Sequence, residues 1–79
     1  MINLAVKIYT TSRCKFCVMA KDYFNEHGID YEEINVESSE KARQDAISKS
    51  GQRGVPVIDV DGKIIIGFDK EELDETFGF

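Results

Sequence analysis

Cys14-Lys15-Phe16-Cys17 lies at the seam between an apolar, strand-forming run and a helix-forming run, and these are the chain's only two cysteines. Two intervening residues put both sulfurs on the first turn of a helix, close enough to close a small disulfide ring. The unsatisfied N–H groups and positive dipole end of that helix favour a thiolate. Lys15, and Arg13 just before the pair, add positive charge at the same spot. Other uses of the cysteines fit less well. A structural zinc site asks for about four ligands, and two cysteines with one histidine reach that number only in a dimer. A disulfide across so short a loop removes little chain entropy, and stapled secreted domains usually carry several. The pair therefore reads as a redox-active dithiol.

The rest of the chain bounds where such a dithiol works. Its 79 residues make one domain, 1–79, near the lower limit for a core that folds without disulfide or metal help. The net charge of −5 argues against a nucleic-acid or anionic-membrane surface. No apolar run approaches membrane-spanning length. The opening run from Met1 to Tyr9 lacks a charged leader and a cleavage site. A cytoplasmic protein is expected, in which a dithiol can cycle through reduction.

Patterning predicts the order βαβ-α-ββα. Leu4 to Tyr9 is an apolar strand, and Thr10-Thr11-Ser12 suit a turn into a helix from Lys15 to His27. Cys17, Ala20 and Phe24 share one face of that helix, and Gly28 stops it. His27 sits where a cation helps the helix dipole, and only a solvated role is expected of it. A second strand runs from Ile29 to Val36. Ser38 or Ser39 caps a helix from Glu40 to Ser50, with Ala42, Ala46 and Ile47 inward and Gly51 at its end. Val55 to Val60 and Lys63 to Ile66 are strands joined by an Asp61-Gly62 type I′ turn. Asp69 with Glu72 makes a capping-box-like start for the last helix, with Phe68 and Leu73 as a hydrophobic staple and Phe77 one turn later. A helix between the first two strands implies a right-handed parallel pair, and the hairpin an antiparallel one. The expected fold is an α/β domain with a four-stranded mixed sheet and helices on both faces.

This order, with Tyr9-Thr10-Thr11-Ser12-Arg13-Cys14-Lys15-Phe16-Cys17, Gly51-Gln52-Arg53-Gly54-Val55-Pro56 and Ile65-Ile66-Gly67-Phe68-Asp69 at matching spacings, resembles the glutaredoxins, the minimal thioredoxin-like fold. The resemblance covers the whole chain. It implies a thiol–disulfide oxidoreductase in which Cys14 attacks and Cys17 resolves. It implies a cis Val55–Pro56 bond, leaving the Val55 N–H and C=O free to pair with a substrate's extended backbone. Gln52 and Arg53 stand where the family contacts the glycine carboxylate of glutathione, and Asp69 where it meets the γ-glutamyl end. Phe68 and Asp69 offer backbone N–H groups at a helix start, while Asp69 is equally accounted for as an N-cap. Arg13, Lys15 and Arg53 form a local basic rim suited to a tripeptide with two carboxylates.

The implied partners are glutathione as co-substrate and disulfide-containing client proteins, with no tightly bound cofactor and a monomeric state. Four departures from the family pattern matter. Lys15 replaces the usual proline, and Phe16 the usual hydroxylated aromatic. Gly54 stands for a threonine, and Ile66 for the first glycine of a Gly-Gly pair. A bulky Ile66 crowds the γ-glutamyl pocket, which keeps open the branch that draws electrons from thioredoxin reductase. Loss of the proline keeps open an iron–sulfur dimer using the first cysteine and glutathione.

Overall fold

The computed structural model describes residues 4–79. In chain order they form β1 (Val6–Thr10), α1 (Lys15–Glu26), β2 (Glu32–Asn35), α2 (Glu40–Ser50), β3 (Val57–Val60), β4 (Lys63–Ile66) and α3 (Lys70–Phe77). The sheet order is β2-β1-β3-β4, with β1 parallel to β2 and antiparallel to β3, and β3 antiparallel to β4. The mixed four-stranded sheet and three helices expected from the pattern are thus present.

Strand alternation divides the apolar residues between two faces. Val6, Ile8, Ile58, Val60 and Ile65 turn toward α1 and α3, where Ala20, Tyr23, Phe24 and Leu73 complete the larger core. Tyr9 and Val57 turn the other way and pack with Ala46 of α2, flanked by Ile34, Val36 and Ile64. Phe24, Ile8, Ile58, Ile65 and Leu73 are among the largest fully buried side chains. Each stabilises the fold by about 1.5–3 kcal/mol through burial.

Helix ends follow local chemistry. The Ser39 hydroxyl accepts the Ala42 N–H at 3.2 Å, and the Asp69 carboxylate accepts the Glu72 N–H at 3.1 Å. Gly51 closes α2 in the left-handed region, at φ 72°. Asp61 and Gly62 both have positive φ, 51° and 98°, as a type I′ turn requires.

The strands are shorter than expected, for physical reasons. β3 begins at Val57 instead of Val55, because Pro56 has no N–H to give to a ladder. β2 begins at Glu32 instead of Ile29, because the Ile29 N–H is spent on the Phe24 carbonyl at 2.8 Å in the turn that closes α1. Ile29 and Tyr31 still pack on the larger core. Ile47, expected inward, is only half-buried. His27 is exposed as expected, but its ring stacks on Phe79 at 4.1 Å and lies 4.4 Å from Tyr23.

The topology gathers distant segments at one end of the sheet. β1 leaves that end through Thr10 into the cysteine loop. β3 enters it through Val55–Pro56, being antiparallel to β1, and β4 leaves it through Gly67 and Phe68 into α3.

Candidate active site

Cys14 is the N-cap of α1, in extended conformation with φ −106° and ψ 108°. An N-cap side chain accepts an orphan N–H of the first turn, a part usually taken by oxygen. Here the Cys14 Sγ takes it, accepting from the Cys17 N–H at 3.1 Å. The two cysteines are joined as a disulfide, with Cα atoms 5.1 Å apart. Cys17 is 1% exposed, whereas Cys14 is only half-buried. The accessible sulfur is therefore the one facing the helix N–H groups, and no acidic residue occupies the first turn to oppose a thiolate.

The loop before Cys14 is tied to the far end of β2. The Ser12 N–H donates to Glu37 Oε1 at 2.8 Å, and the Asn35 amide donates to the Ser12 hydroxyl at 3.2 Å. The bonds from Ser12 hold the exposed Glu37 carboxyl below the usual carboxylate range, with smaller help from Asn35 and from the charge of Arg13. Arg13, Lys15 and Arg53 are exposed, and the charge of Arg13 reaches Glu37. One turn behind, buried Thr10 donates to Glu33 at 2.8 Å and Lys21 donates to the same oxygen at 3.0 Å. These two bonds, Lys21 first, lower the Glu33 carboxyl and fasten α1 to β2.

Val55 arrives from the other side. Its carbonyl oxygen is 3.8 Å from Cys14 Sγ, within reach of a thiol S–H once the disulfide is reduced. The Val55–Pro56 peptide bond is cis. Pro56 is buried, and its carbonyl accepts the Gly67 N–H at 2.8 Å, which locks the end of β4 to this turn. Among the described residues the Val55 N–H has no backbone partner.

A groove of 510 Å³ is lined by Phe16, the residue before Cys17, and by Ile66 through Glu71. Phe68 and Asp69 are in its wall, while Phe16 and Ile66, 55% and 50% exposed, are large apolar lining residues at the α1 and β4 sides. Phe16, Lys70 and Glu71 were not singled out by sequence reasoning as groove residues. Their signal is tertiary, since α1 and the start of α3 are far apart in the chain. The structure thus brings Cys14, Cys17, Val55 and Pro56 together, sets Phe68 and Asp69 along the groove and leaves Arg13, Lys15 and Arg53 at the surface. Gln52 differs. Its amide turns back into its own loop and onto Gly54.

Comparison with known proteins places this geometry among relatives. The family profile described as Glutaredoxin matches residues 6–65. The chain is 44% identical over 70 residues to a glutaredoxin-like 8.6 kDa protein in a rubredoxin operon of Clostridium pasteurianum, covering 89% of this chain and 93% of that one. It is 33% identical over 64 residues to glutaredoxin 3 of Escherichia coli, covering 81% and 77%. The crystal structure of a glutaredoxin from Archaeoglobus fulgidus superposes with a TM-score of 0.85 at 26% identity, covering 94% of this chain and 86% of that one.

Proposed function

The chain belongs to the glutaredoxin family of thiol–disulfide oxidoreductases, and from that premise we propose that it reduces protein disulfides or glutathione mixed disulfides through Cys14 and Cys17, with glutathione as reductant. The observation that carries the assignment of roles is the N-cap position of Cys14, half-exposed and accepting the Cys17 N–H, above a buried Cys17.

The chemistry runs in balanced steps. The Cys14 thiolate attacks one sulfur of the client disulfide, forming a mixed disulfide and releasing the other client sulfur as a thiolate, which takes a proton. Cys17, as thiolate, then attacks Cys14 Sγ. The second client sulfur leaves reduced and the Cys14–Cys17 disulfide forms. Two glutathione thiols reduce that disulfide in turn and leave as oxidised glutathione. The Cys17 N–H that stabilises a Cys14 thiolate also holds the two sulfurs in register for the resolving step. The Val55 backbone supports client docking by offering one rung of strand pairing beside the reacting sulfur. Arg53 and the N–H groups at the start of α3 suit the carboxylates of glutathione. The protein acts as a monomer in this scheme.

Thioredoxin reductase as electron donor is the second reading, favoured by Ile66, which stands half-exposed in the groove wall. A coupled assay comparing glutathione plus its reductase with thioredoxin reductase separates the two. Cys14→Ser is expected to abolish disulfide reduction with either donor. Cys17→Ser is expected to trap mixed disulfides visible by mass spectrometry. Full activity in Cys14→Ser overturns the assignment.

A further inference from the structure

We infer that Gln52 is a positioning residue, whose carboxamide clasps the backbone of Gly54 and so holds Val55 beside Cys14 for client docking. The clasp has two points. Gln52 Oε1 accepts the Gly54 N–H at 2.6 Å, and Gln52 Nε2 donates to the Gly54 carbonyl at 2.9 Å. A side-chain amide thus takes the place of a neighbouring strand, pairing both polar groups of one residue. The other Nε2 hydrogen points to Ser50 Oγ at 3.3 Å. Ser50 is itself fixed to the last turn of α2, with Oγ 2.7 Å from the Ala46 carbonyl. The chain of contacts runs from α2 through Ser50 and Gln52 to Gly54, the residue that precedes Val55.

Inventory supports the same role. A carboxylate ligand can only accept, and the only side-chain donors of glutamine are the two Nε2 hydrogens. Both are engaged inside the loop. Gln52 cannot reach a ligand carboxylate without giving up the clasp, which leaves that task to Arg53, exposed beside it.

Gly54 completes the argument. It is the one glycine among those described without a positive φ, so backbone freedom does not explain it. Space does. A Cβ built at Gly54 meets Gln52 Oε1 at 2.7 Å, closer than real Cβ atoms come to a neighbour. Any larger residue at 54 expels the glutamine oxygen, so Gln52 and Gly54 form one device.

This inference rests on the proposed pairing of Val55 with client backbone, and the test separates the two. Pre-reduced protein is mixed in single turnover with two oxidants, a short synthetic peptide carrying one intramolecular disulfide and bis(2-hydroxyethyl) disulfide, which has no peptide group. Each oxidant takes two electrons from the Cys14–Cys17 dithiol and leaves as two thiols. Gln52→Ala is expected to raise the half-saturating peptide concentration about tenfold, as loss of two hydrogen bonds implies. The maximal rate and the reaction with the small oxidant stay within about twofold. Gly54→Ala is expected to do the same, and the double variant no more than either alone, because both remove one clasp.

Equal losses on both oxidants, an unchanged peptide reaction, or additive effects in the double variant overturn the inference. So does a Gln52→Ala defect that appears with glutathione but spares the peptide, since that marks a ligand contact. A wild-type protein inert toward both oxidants instead overturns the proposed function.

Discussion

Asp69 joins the fold to the groove, and substitution there separates its two assignments. Its carboxylate caps α3, a short helix whose one buried side chain is Leu73. Replacing an N-cap aspartate by alanine costs about 1 kcal/mol. Loss of its charge beside the helix dipole adds about 0.4 kcal/mol, toward the low end because Glu71 and Glu72 remain in the first turn. For a domain of 79 residues the sum of about 1.4 kcal/mol lowers the melting temperature by about 6–11 °C. Asp69→Asn keeps an acceptor oxygen and loses only the charge, so it should melt about 2–3 °C below wild type. The cap and a ligand contact then part company. If the carboxylate also meets the ammonium of a γ-glutamyl group, Asp69→Asn weakens glutathione by about two- to fivefold, the worth of an exposed ion pair. Thermal melts by circular dichroism and a glutathione titration followed by amide resonances measure both. Asp69→Ala melting with wild type, or Asp69→Asn melting with Asp69→Ala, refutes the cap argument.

Ile66→Gly should open the groove wall and tighten glutathione binding about threefold or more, measured by the same titration, since it removes the apolar side chain that crowds the cleft; unchanged or weaker binding counts against the crowding argument. Asp59 is pulled up by burial, yet the bonds from Lys49 Nζ at 2.7 Å and the Gly62 N–H hold it below its ordinary range overall. A depressed carboxylate stabilises the fold above its unfolded pKa and loses that contribution as pH falls through its folded pKa. The stability gap between wild type and Asp59→Asn in urea denaturation should thus be about 1 kcal/mol at pH 7 and close below about pH 4; a gap constant with pH refutes the pairing. The rate with anionic glutathione should rise as salt increases from about 0.01 to 0.1 M, because the Debye length falls from about 30 to 10 Å and screens the net charge of −5 before it screens the nearby rim cations. A steady fall from the lowest salt in stopped-flow fluorescence assigns control to the rim instead.

Features carried by short sequence spans were legible in advance. Ser39 and Asp69 accept from residues three positions on, and Asp61-Gly62 closes a two-residue turn, so the residues that make each feature adjoin in the chain. Cys14 was legible for the same reason, since its helix-start role depends on Cys17. Strand limits were less so. They depend on which backbone groups are already committed, as the Ile29 N–H is to Phe24. The bond from Ser12 to Glu37 spans 25 positions, and the approach of Phe16 to Ile66 needs the assembled sheet. No pattern rule reaches such pairs. The Gln52 clasp is short in sequence yet was equally hidden. It depends on the loop backbone turning Gly54 toward the amide, and an alternative role as ligand contact suited the same residue type.

The site divides into a part that is fixed and a part that is open, and the division follows from what each must do. Disulfide exchange needs the attacking sulfur, the resolving sulfur and the client sulfur aligned within a fraction of an ångström. The groups that set this alignment are held by backbone bonds: Cys14 by the Cys17 N–H, Val55 through its neighbour Gly54, and Pro56 by the Gly67 N–H. The surface around them carries few such ties. Phe16 and Ile66 project half-exposed from the ends of α1 and β4, and the exposed cations sit in the cysteine loop (Arg13), on the first residue of α1 (Lys15) and in the loop after α2 (Arg53). Apolar contact and screened charge tolerate many partners, whereas a fixed peptide rung accepts only an extended backbone. With Val55 pairing to client backbone as proposed, selection would operate first on the form of the client chain at its disulfide and only then on its side chains. On that premise the Gln52 clasp, through Gly54 and Val55, would bear on which clients react although Gln52 itself contacts only its own loop.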